Sequence, residues 1–420
     1  MFIRLIRVIC VPINMKRKII NDPVFGFITI PNAFILEVIQ HPYFQRLNRI
    51  KQLGLSSFVY PGAQHTRLLH SLGAMHLMGE AIRQLRLQGH DITLDEENAA
   101  RAAILLHDIG HGPFSHVLEH SLVKGVQHEE ISLWLMNRMN AEMNGRLDLA
   151  LAIFTNRYPK RFLHQLVSGQ LDMDRLDYLS RDSFFCGVSE GMVGSARIIK
   201  MLDVKDDQLV VESKGIYSIE KFLVARRLMY WQVYLHKTSV AGEKLLVNIL
   251  KRAKELAAQG TQLFTSPALH YFLYNEISRS NFADSIEALD CFAMLDDADI
   301  LCAINVWTTH QDFVLSTLCK SFVNRRLFKV DARTELNVEQ KRAFYSELYM
   351  QRFDISPQEA DYFMGEEIVS TDTYNAKDDR INILQKDGTI LDIAEASDML
   401  NIEVLTKKVE KHFFYYFKIK

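Results

Sequence analysis

His107-Asp108-Ile109-Gly110-His111-Gly112-Pro113-Phe114-Ser115-His116 is the stretch around which this 420-residue chain is organised. Three histidines and an aspartate crowd into it. Apolar residues run up to it (Ala102, Ala103, Ile104, Leu105, Leu106), which predicts a buried helix over 94–109 ending in His107 and Asp108. Thr93 and Glu96 form a T-x-x-E capping box to start that helix. Gly110, Gly112 and Pro113 break it. An imidazole and a carboxylate delivered together from an apolar helix end are costly to bury unless something binds both, and a divalent metal does so. The competing reading is a histidine capping its own helix C-terminus, with the aspartate in the following turn.

The neighbouring histidines decide between the two. Nine of the 15 lie between 65 and 128, where an even spread over 420 residues would put about two. His90 and His120 read as surface residues at helix ends, and His76 as packing on a helix over 66–88. His70 on that same helix, His107 and Asp108 on the next, and Asp174 on a helix within 160–182 form a sharper set. Helical bundles build metal sites in this way, from side chains on facing helices. Two imidazoles and two carboxylates suit Fe²⁺ or Mn²⁺, with Zn²⁺ and Ni²⁺ also compatible. On a six-coordinate ion they leave room for water and one substrate oxygen, as metal-assisted hydrolysis requires.

Composition sets the frame. The chain is 48% hydrophobic with a net charge of −2. Its length suits two or three structural units. The balanced charge gives no argument for nucleic-acid or membrane binding. Five scattered cysteines without a C-x-x-C pair point to a reducing, cytoplasmic setting. No apolar run approaches the roughly 20 residues of a membrane span. Met1 to Asn14 is apolar but carries Arg4 and Arg7, lacks a small-residue cleavage site, and is read as an N-terminal extension.

The pattern along the chain is mainly α with small β additions. A turn at Asn21-Asp22-Pro23 leads into a short strand. Helices are predicted within 33–53 (divided at Pro42), over 66–88, 94–109, 127–140 and 160–182, over 218–257, and through most of 265–350. Hairpins are predicted at 203–217 and, around Asp387-Gly388, at 380–392. The end, Ile402 to Tyr416, is predicted as a helix. Two stripes repeat at helical spacing: Asp174, Tyr178 and Asp182, then Arg226, Tyr230 and Tyr234. Each is either a pocket wall or a polar or aromatic packing face.

On these residues the chain resembles the HD-domain phosphohydrolases. Within them it is most similar to the dGTPase-like deoxynucleoside triphosphate triphosphohydrolases, in particular to bacterial relatives of the SAM-and-HD-domain type. The matching stretches are Asn21-Asp22-Pro23; Phe44-Gln45-Arg46-Leu47; Ile50-Lys51-Gln52-Leu53-Gly54; Tyr60-Pro61-Gly62-Ala63; His65-x-Arg67-x-x-His70-Ser71-Leu72-Gly73; His107 through His116; Asp172-x-Asp174-Arg175-x-Asp177-Tyr178; Arg181-Asp182; and Tyr234-x-His236-Lys237. The resemblance implies an HD-domain helical bundle with small hairpins. The catalytic core and nucleotide pocket would fall at 15–259, after the 1–14 extension. A mostly helical accessory region at 260–420 would make oligomer contacts.

It also implies roles. His70, His107, Asp108 and Asp174 would be the metal ligands. His111, His116 and His128 would face the phosphates, with His116 as acid to the leaving oxygen and Glu119, where the family usually has an aspartate, orienting it. Arg67, Arg175, Arg226 and Lys237 would clamp phosphates. Gln52, Leu53, Tyr178, Asp182 and Tyr234 would hold the sugar. The implied reaction is water attack on the α-phosphorus of a dNTP, Mg²⁺ accompanying the triphosphate, which releases deoxynucleoside and triphosphate. Relatives self-associate, so a homo-oligomer (dimer or tetramer) is expected, with a regulatory nucleotide. The aspartate and arginine that read guanine in the SAM-and-HD-domain type correspond here to Gln40 and Asn48, while Lys18, Asn21 and Gln45 persist. The alternatives are a phosphohydrolase for another nucleotide or phosphate ester, and a non-catalytic nucleotide-binding regulator.

Overall fold

The computed structural model describes residues 18–114, 117, 121–123, 125–332, 337–371, 374, 380–398 and 407–419. The 1–14 extension, His116 and Glu119 lie outside them.

The chain opens with the hairpin β1 (Lys18–Asp22) and β2 (Gly26–Ile30), paired antiparallel with Ile20 opposite Ile28. Its turn is closed by Asp22, whose Oδ1 accepts from the Val24 and Phe25 amides, both at 2.9 Å. The helical stretch that follows divides as its proline dictates: Ala33–Gln40 ends, and Pro42 occupies the first turn of Pro42–Gln45.

Helix α1 (Arg67–Leu87) runs through the interior, with α2 (Leu94–Leu106) and α4 (Met173–Cys186) packed along it and α3 (His128–Glu142) following α2 in the chain. Gly73 sets the separation of α1 and α4, because a Cβ there would overlap Asp177 Oδ1 and Arg181 Nη2. Gly110 does the same for the histidine stretch, which lies against the first turns of α3; a Cβ there would meet the His128 carbonyl and the Ser132 amide. α2 starts as its capping box requires, with Thr93 Oγ1 accepting from Glu96 N and Glu96 Oε2 from Thr93 N.

The hairpin β3 (Leu202–Lys205) and β4 (Gln208–Glu212) forms where expected. The single helix predicted over 218–257 is instead two. α5 (Ile216–Met229) passes into a π turn at Tyr230–Tyr234, and α6 (Lys237–Ala258) begins after His236, whose Nδ1 accepts from Thr238 N. Single π turns are frequent at functional sites. This one changes the direction in which Tyr234 projects.

The C-terminal region is helical from 267 through 323, with interruptions, and supplies strands that the sequence reading did not place. β5 (Lys329–Asp331), β6 (Met364–Thr371) and a terminal strand make one sheet, with the terminal strand in the middle. The hairpin predicted at 380–392 is present as β7 (Asn382–Leu384) and β8 (Ile390–Asp392). β7 also pairs parallel with β4, Val210 opposite Asn382, so the two hairpins form one four-stranded sheet. The predicted helix at the end is corrected: Val409–Tyr416 is that terminal strand, β9, and the earlier part of the predicted helix falls largely outside the described residues. The second half of β9, 413–416, reads as a continuous aromatic run, which periodicity does not distinguish from a buried helix. Phe413, Phe414 and Tyr415 are all buried. No helix among the described residues is long and apolar enough to cross a membrane.

Glu96 provides a test of this packing. Burial would raise its pKa, but bonds from Lys160, Tyr158 and the Thr93 amide outweigh burial and bring it from 4.5 to about 2. A depressed carboxylate stabilises the fold above its unfolded pKa and loses that contribution as pH falls through the folded value. The melting-temperature gap between the wild type and Glu96→Gln should therefore be full at neutral pH and close between pH 4.5 and 2. A gap that does not change with pH would count against this.

Candidate metal centre and adjoining cavity

Three elements converge. α1 supplies His70 from its first turn, the end of α2 supplies His107 and Asp108, and the first turn of α4 supplies Asp174. Each imidazole is turned by its outer nitrogen. His107 Nδ1 lies 2.6 Å from the Ile104 carbonyl, which can only accept, so that nitrogen carries the proton. His70 Nδ1 lies 2.7 Å from Asp177 Oδ2. Both Nε2 atoms therefore face inward, 3.4 Å apart. Asp174 Oδ1 is 3.0 Å from His70 Nε2 and 3.4 Å from His107 Nε2. Asp108 Oδ1 is 3.3 Å from His107 Nε2, and its Oδ2 is 3.8 Å from that of His70.

This donor set fits a divalent cation. One atom each from His70, His107 and Asp174 lies within 4.8 Å of the others, and Asp108 borders them. The electrostatics agree. Burial lowers the pKa of His70, but hydrogen bonds to Asp174 and Asp177 overcome it and lift it to about 10. His107 is lifted to about 8 by Asp108 and Asp174 against the same burial. Asp174 is buried too, yet the two imidazoles hold its pKa well below the usual carboxylate range. The field that favours a proton on these nitrogens favours any cation placed among them.

Behind the cluster stands a buried relay. Asp177 accepts from Arg181 through both oxygens at 2.9 Å, and Arg181 Nη1 reaches Asp22 Oδ2 at 2.7 Å. The side chains of Asp22, Asp177 and Arg181 are fully buried. Asp177, Arg181 and Asp22 occur in the motifs but carried no role in the sequence reading; their signal was the i, i+4 spacing of a carboxylate and a guanidinium.

A cavity of about 810 Å³ opens over the cluster. His107, Asp108, His111, His128 and Asp174 line it, as do Gln52, Leu53, Arg67, Arg175, Tyr178, Asp182 and Tyr234. Arg67 Nη1 is 2.5 Å from Asp108 Oδ2. His111 stacks on His128, ring centroids 3.8 Å apart, with its Nε2 3.2 Å from Asp108 Oδ1. Burial and the Arg67 charge push the pKa of His111 down to about 3, so it is neutral. Asp182 is held on both oxygens, by His65 Nε2 at 2.7 Å and by the Tyr234 hydroxyl at 2.7 Å. His65 is buried and stacked on Phe185. It sits in the His65-x-Arg67-x-x-His70 motif, yet the sequence reading did not include it among the site residues.

Two predicted clamps are placed elsewhere. Arg226 Nη1 donates to Gln170 Oε1 at 2.9 Å and does not line this cavity. Lys237 lines a different one, of about 790 Å³, with Lys320, Arg325, Arg326, Lys329 and Arg352. The π turn and the break at His236 separate Lys237 from Tyr234. His76 packs against Phe25, as expected.

The HD domain family matches residues 67–182, and the HD associated region residues 193–267. The crystal structure of a phosphohydrolase from Bacteroides thetaiotaomicron superposes with a TM-score of 0.93 at 61% identity, covering 96% of this chain and all of that one. Uncharacterized protein YwfO of Bacillus subtilis is 32% identical over 340 residues, 79% of this chain and 75% of its own. The deoxynucleoside triphosphate triphosphohydrolase SAMHD1 homolog of Dictyostelium discoideum is 32% identical over 265 residues, 59% of this chain and 51% of its own.

His107→Ala and Asp108→Ala should lose bound transition metal by elemental analysis while keeping a cooperative melt. Asp177→Asn keeps every ligand residue but weakens the orientation of His70 and the pairing of Arg181, so its metal affinity should fall about 10-fold or more, the usual effect of removing such a partner being about 10–100-fold. Full metal content in either ligand variant would remove the site.

Proposed function

We propose, from the premise that this chain belongs to the HD-domain phosphohydrolase family, that it hydrolyses deoxynucleoside triphosphates to deoxynucleoside and inorganic triphosphate. The observation that carries this reading is the make-up of the cavity wall. Cationic Arg67 and Arg175 stand with the metal cluster, suited to phosphates. Tyr178, Asp182, Tyr234 and Gln52 offer hydroxyl, carboxylate and carboxamide groups, suited to a sugar. Gln52 Oε1 is buried without a hydrogen-bond partner among the described residues.

A divalent ion held by His70, His107, Asp108 and Asp174, with Fe²⁺ or Mn²⁺ favoured by the donor set, would polarise a phosphoryl oxygen and a water. The protein's part is positioning and charge. Arg67, fixed by Asp108, and Arg175 neutralise phosphate oxygens, as phosphoryl transfer demands. His111 and His128, stacked on each other, place the α-phosphate and its water. Water oxygen bonds to the α-phosphorus, the bond from phosphorus to the sugar 5′ oxygen breaks, and His116, oriented by Glu119, supplies the proton to that oxygen. Asp182, held by His65 and Tyr234, accepts from the sugar 3′-hydroxyl. Leu53 and Gln52 crowd the 2′ position.

The reading extends to a cytoplasmic homo-oligomer, a dimer or tetramer, with a core at 15–259 and contacts from 260–420. Anion-exchange analysis of products from metal-loaded protein should show tripolyphosphate from dNTPs and almost none from rNTPs. Pyrophosphate or orthophosphate as the product, or equal rates on dATP and ATP, would defeat the assignment.

For the regulatory nucleotide, Gln40 and Asn48 are both exposed and neutral. Charge-assisted bonds are about twice as strong as neutral ones, so guanine selectivity should be weak here. Initial rates on dCTP or dTTP should not require GTP or dGTP. A protein active only with guanine nucleotides would contradict this.

A further inference from the structure

Beside the metal cavity lies a second space of about 610 Å³, and the two share His164, Ser168 and Arg175 in their walls. Their chemistry is opposite. The metal cavity is lined by six carboxylate side chains: Asp108, Asp172, Asp174, Asp182, Glu129 and Glu243. Among the described residues no aspartate or glutamate lines the annex, whose wall carries Arg161, Arg175 and Arg380, with carboxamides and His164 between them. A space lined in this way attracts anions and gives cations no ligand.

Distant parts of the chain build it. Arg161 begins the helix Arg161–Val167, Arg175 lies in α4, and Arg380 and Asn382 arrive only because β7 pairs parallel with β4. Two acidic groups of the described residues approach from outside the lining. Asp207 Oδ2 accepts from the backbone amide of Arg161 at 2.9 Å, and Asp172 Oδ2 is 3.2 Å from Arg175 Nε. Arg175 Nε donates to the Gly169 carbonyl, which fixes the guanidinium at the boundary between the two spaces. Arg226 donates to Gln170, which lines the annex. Of the expected phosphate clamps, Arg175 thus lines the annex and Arg226 bonds to a residue of its wall.

We propose that the annex is an anion subsite that takes the part of a polyphosphate chain lying beyond the third phosphate, so that this protein binds nucleoside 5′-tetraphosphates and inorganic polyphosphates of four or more phosphates. The proposal rests on the reading of the metal cavity as a nucleoside triphosphate site with Arg175, shared by both walls, as one of its phosphate clamps. In hydrolysis of a deoxynucleoside tetraphosphate, water oxygen bonds to the α-phosphorus, the bond to the 5′ oxygen breaks and that oxygen takes the proton. Deoxynucleoside and inorganic tetraphosphate are released.

The test is isothermal titration of inorganic pyrophosphate and inorganic tetrapolyphosphate into the full-length metal-loaded protein and its Arg161→Gln/Arg380→Gln variant. The wild type should bind tetrapolyphosphate more tightly than pyrophosphate. In the variant the tetrapolyphosphate Kd should rise about tenfold or more, the size of one charge-assisted hydrogen bond, with pyrophosphate changed by less than about twofold. Arg161→Lys/Arg380→Lys, which keeps the charge but loses the planar fork, should fall between the two. Equal losses for both anions, no loss for either, or a wild type without preference for the longer chain would overturn the subsite. A wild type that shows the preference but hydrolyses no dNTP would support the subsite and overturn the reaction instead.

Discussion

The structure depends on one requirement: charges buried in its centre must be matched. Asp22, Asp177 and Arg181 have fully buried side chains, and each finds its opposite. Breaking one partner out of such a chain leaves an uncompensated charge, typically about 3–5 kcal/mol. The relay joins the first hairpin to α4 and, through Asp177, to His70 on α1. It therefore aligns the two helices that carry His70 and Asp174. Gly73 is part of the same arrangement, since only a residue without Cβ lets α1 come close enough for the Asp177–Arg181 pair.

From that alignment the site follows. Asp177 behind His70 and the Ile104 carbonyl behind His107 set both tautomers, so both inner nitrogens face Asp174. On the opposite wall the π turn after α5 brings the Tyr234 hydroxyl onto Asp182, with His65 on the other oxygen. Asp182 thus has one rotamer, and it presents a fixed acceptor to the cavity. A straight helix through 218–257 would point Tyr234 elsewhere.

Much of this was legible along the chain because it is local. The capping box at Thr93 and Glu96, the division at Pro42, the turn at Asp387-Gly388 and the helix-ending glycines after His107 are interactions within a few residues, and all formed as read. The cluster of candidate ligands was legible for another reason: histidines and aspartates have little cause to gather at apolar helix ends without a shared ligand. β9 was misread because its environment comes from β5 and β6, about 80 and 40 residues earlier, and its aromatic run at 413–416 carries no alternation to detect. Lys237 follows Tyr234 by three residues, but the π turn and the break at His236 alter the face on which it emerges.

The sequence by itself determined the class of the fold, the helices of the core and the identity of the four candidate ligands, since periodicity, caps and residue chemistry act at short range. Only the tertiary structure decided which side chains hold those candidate ligands in place, which of the expected clamps line the metal cavity, and that a parallel pairing of β7 with β4 brings Arg380 into one cavity wall with Arg175. Those outcomes depend on contacts between residues far apart in the chain. Each is selected by what the packed interior leaves unpaired, and no short stretch of sequence records that.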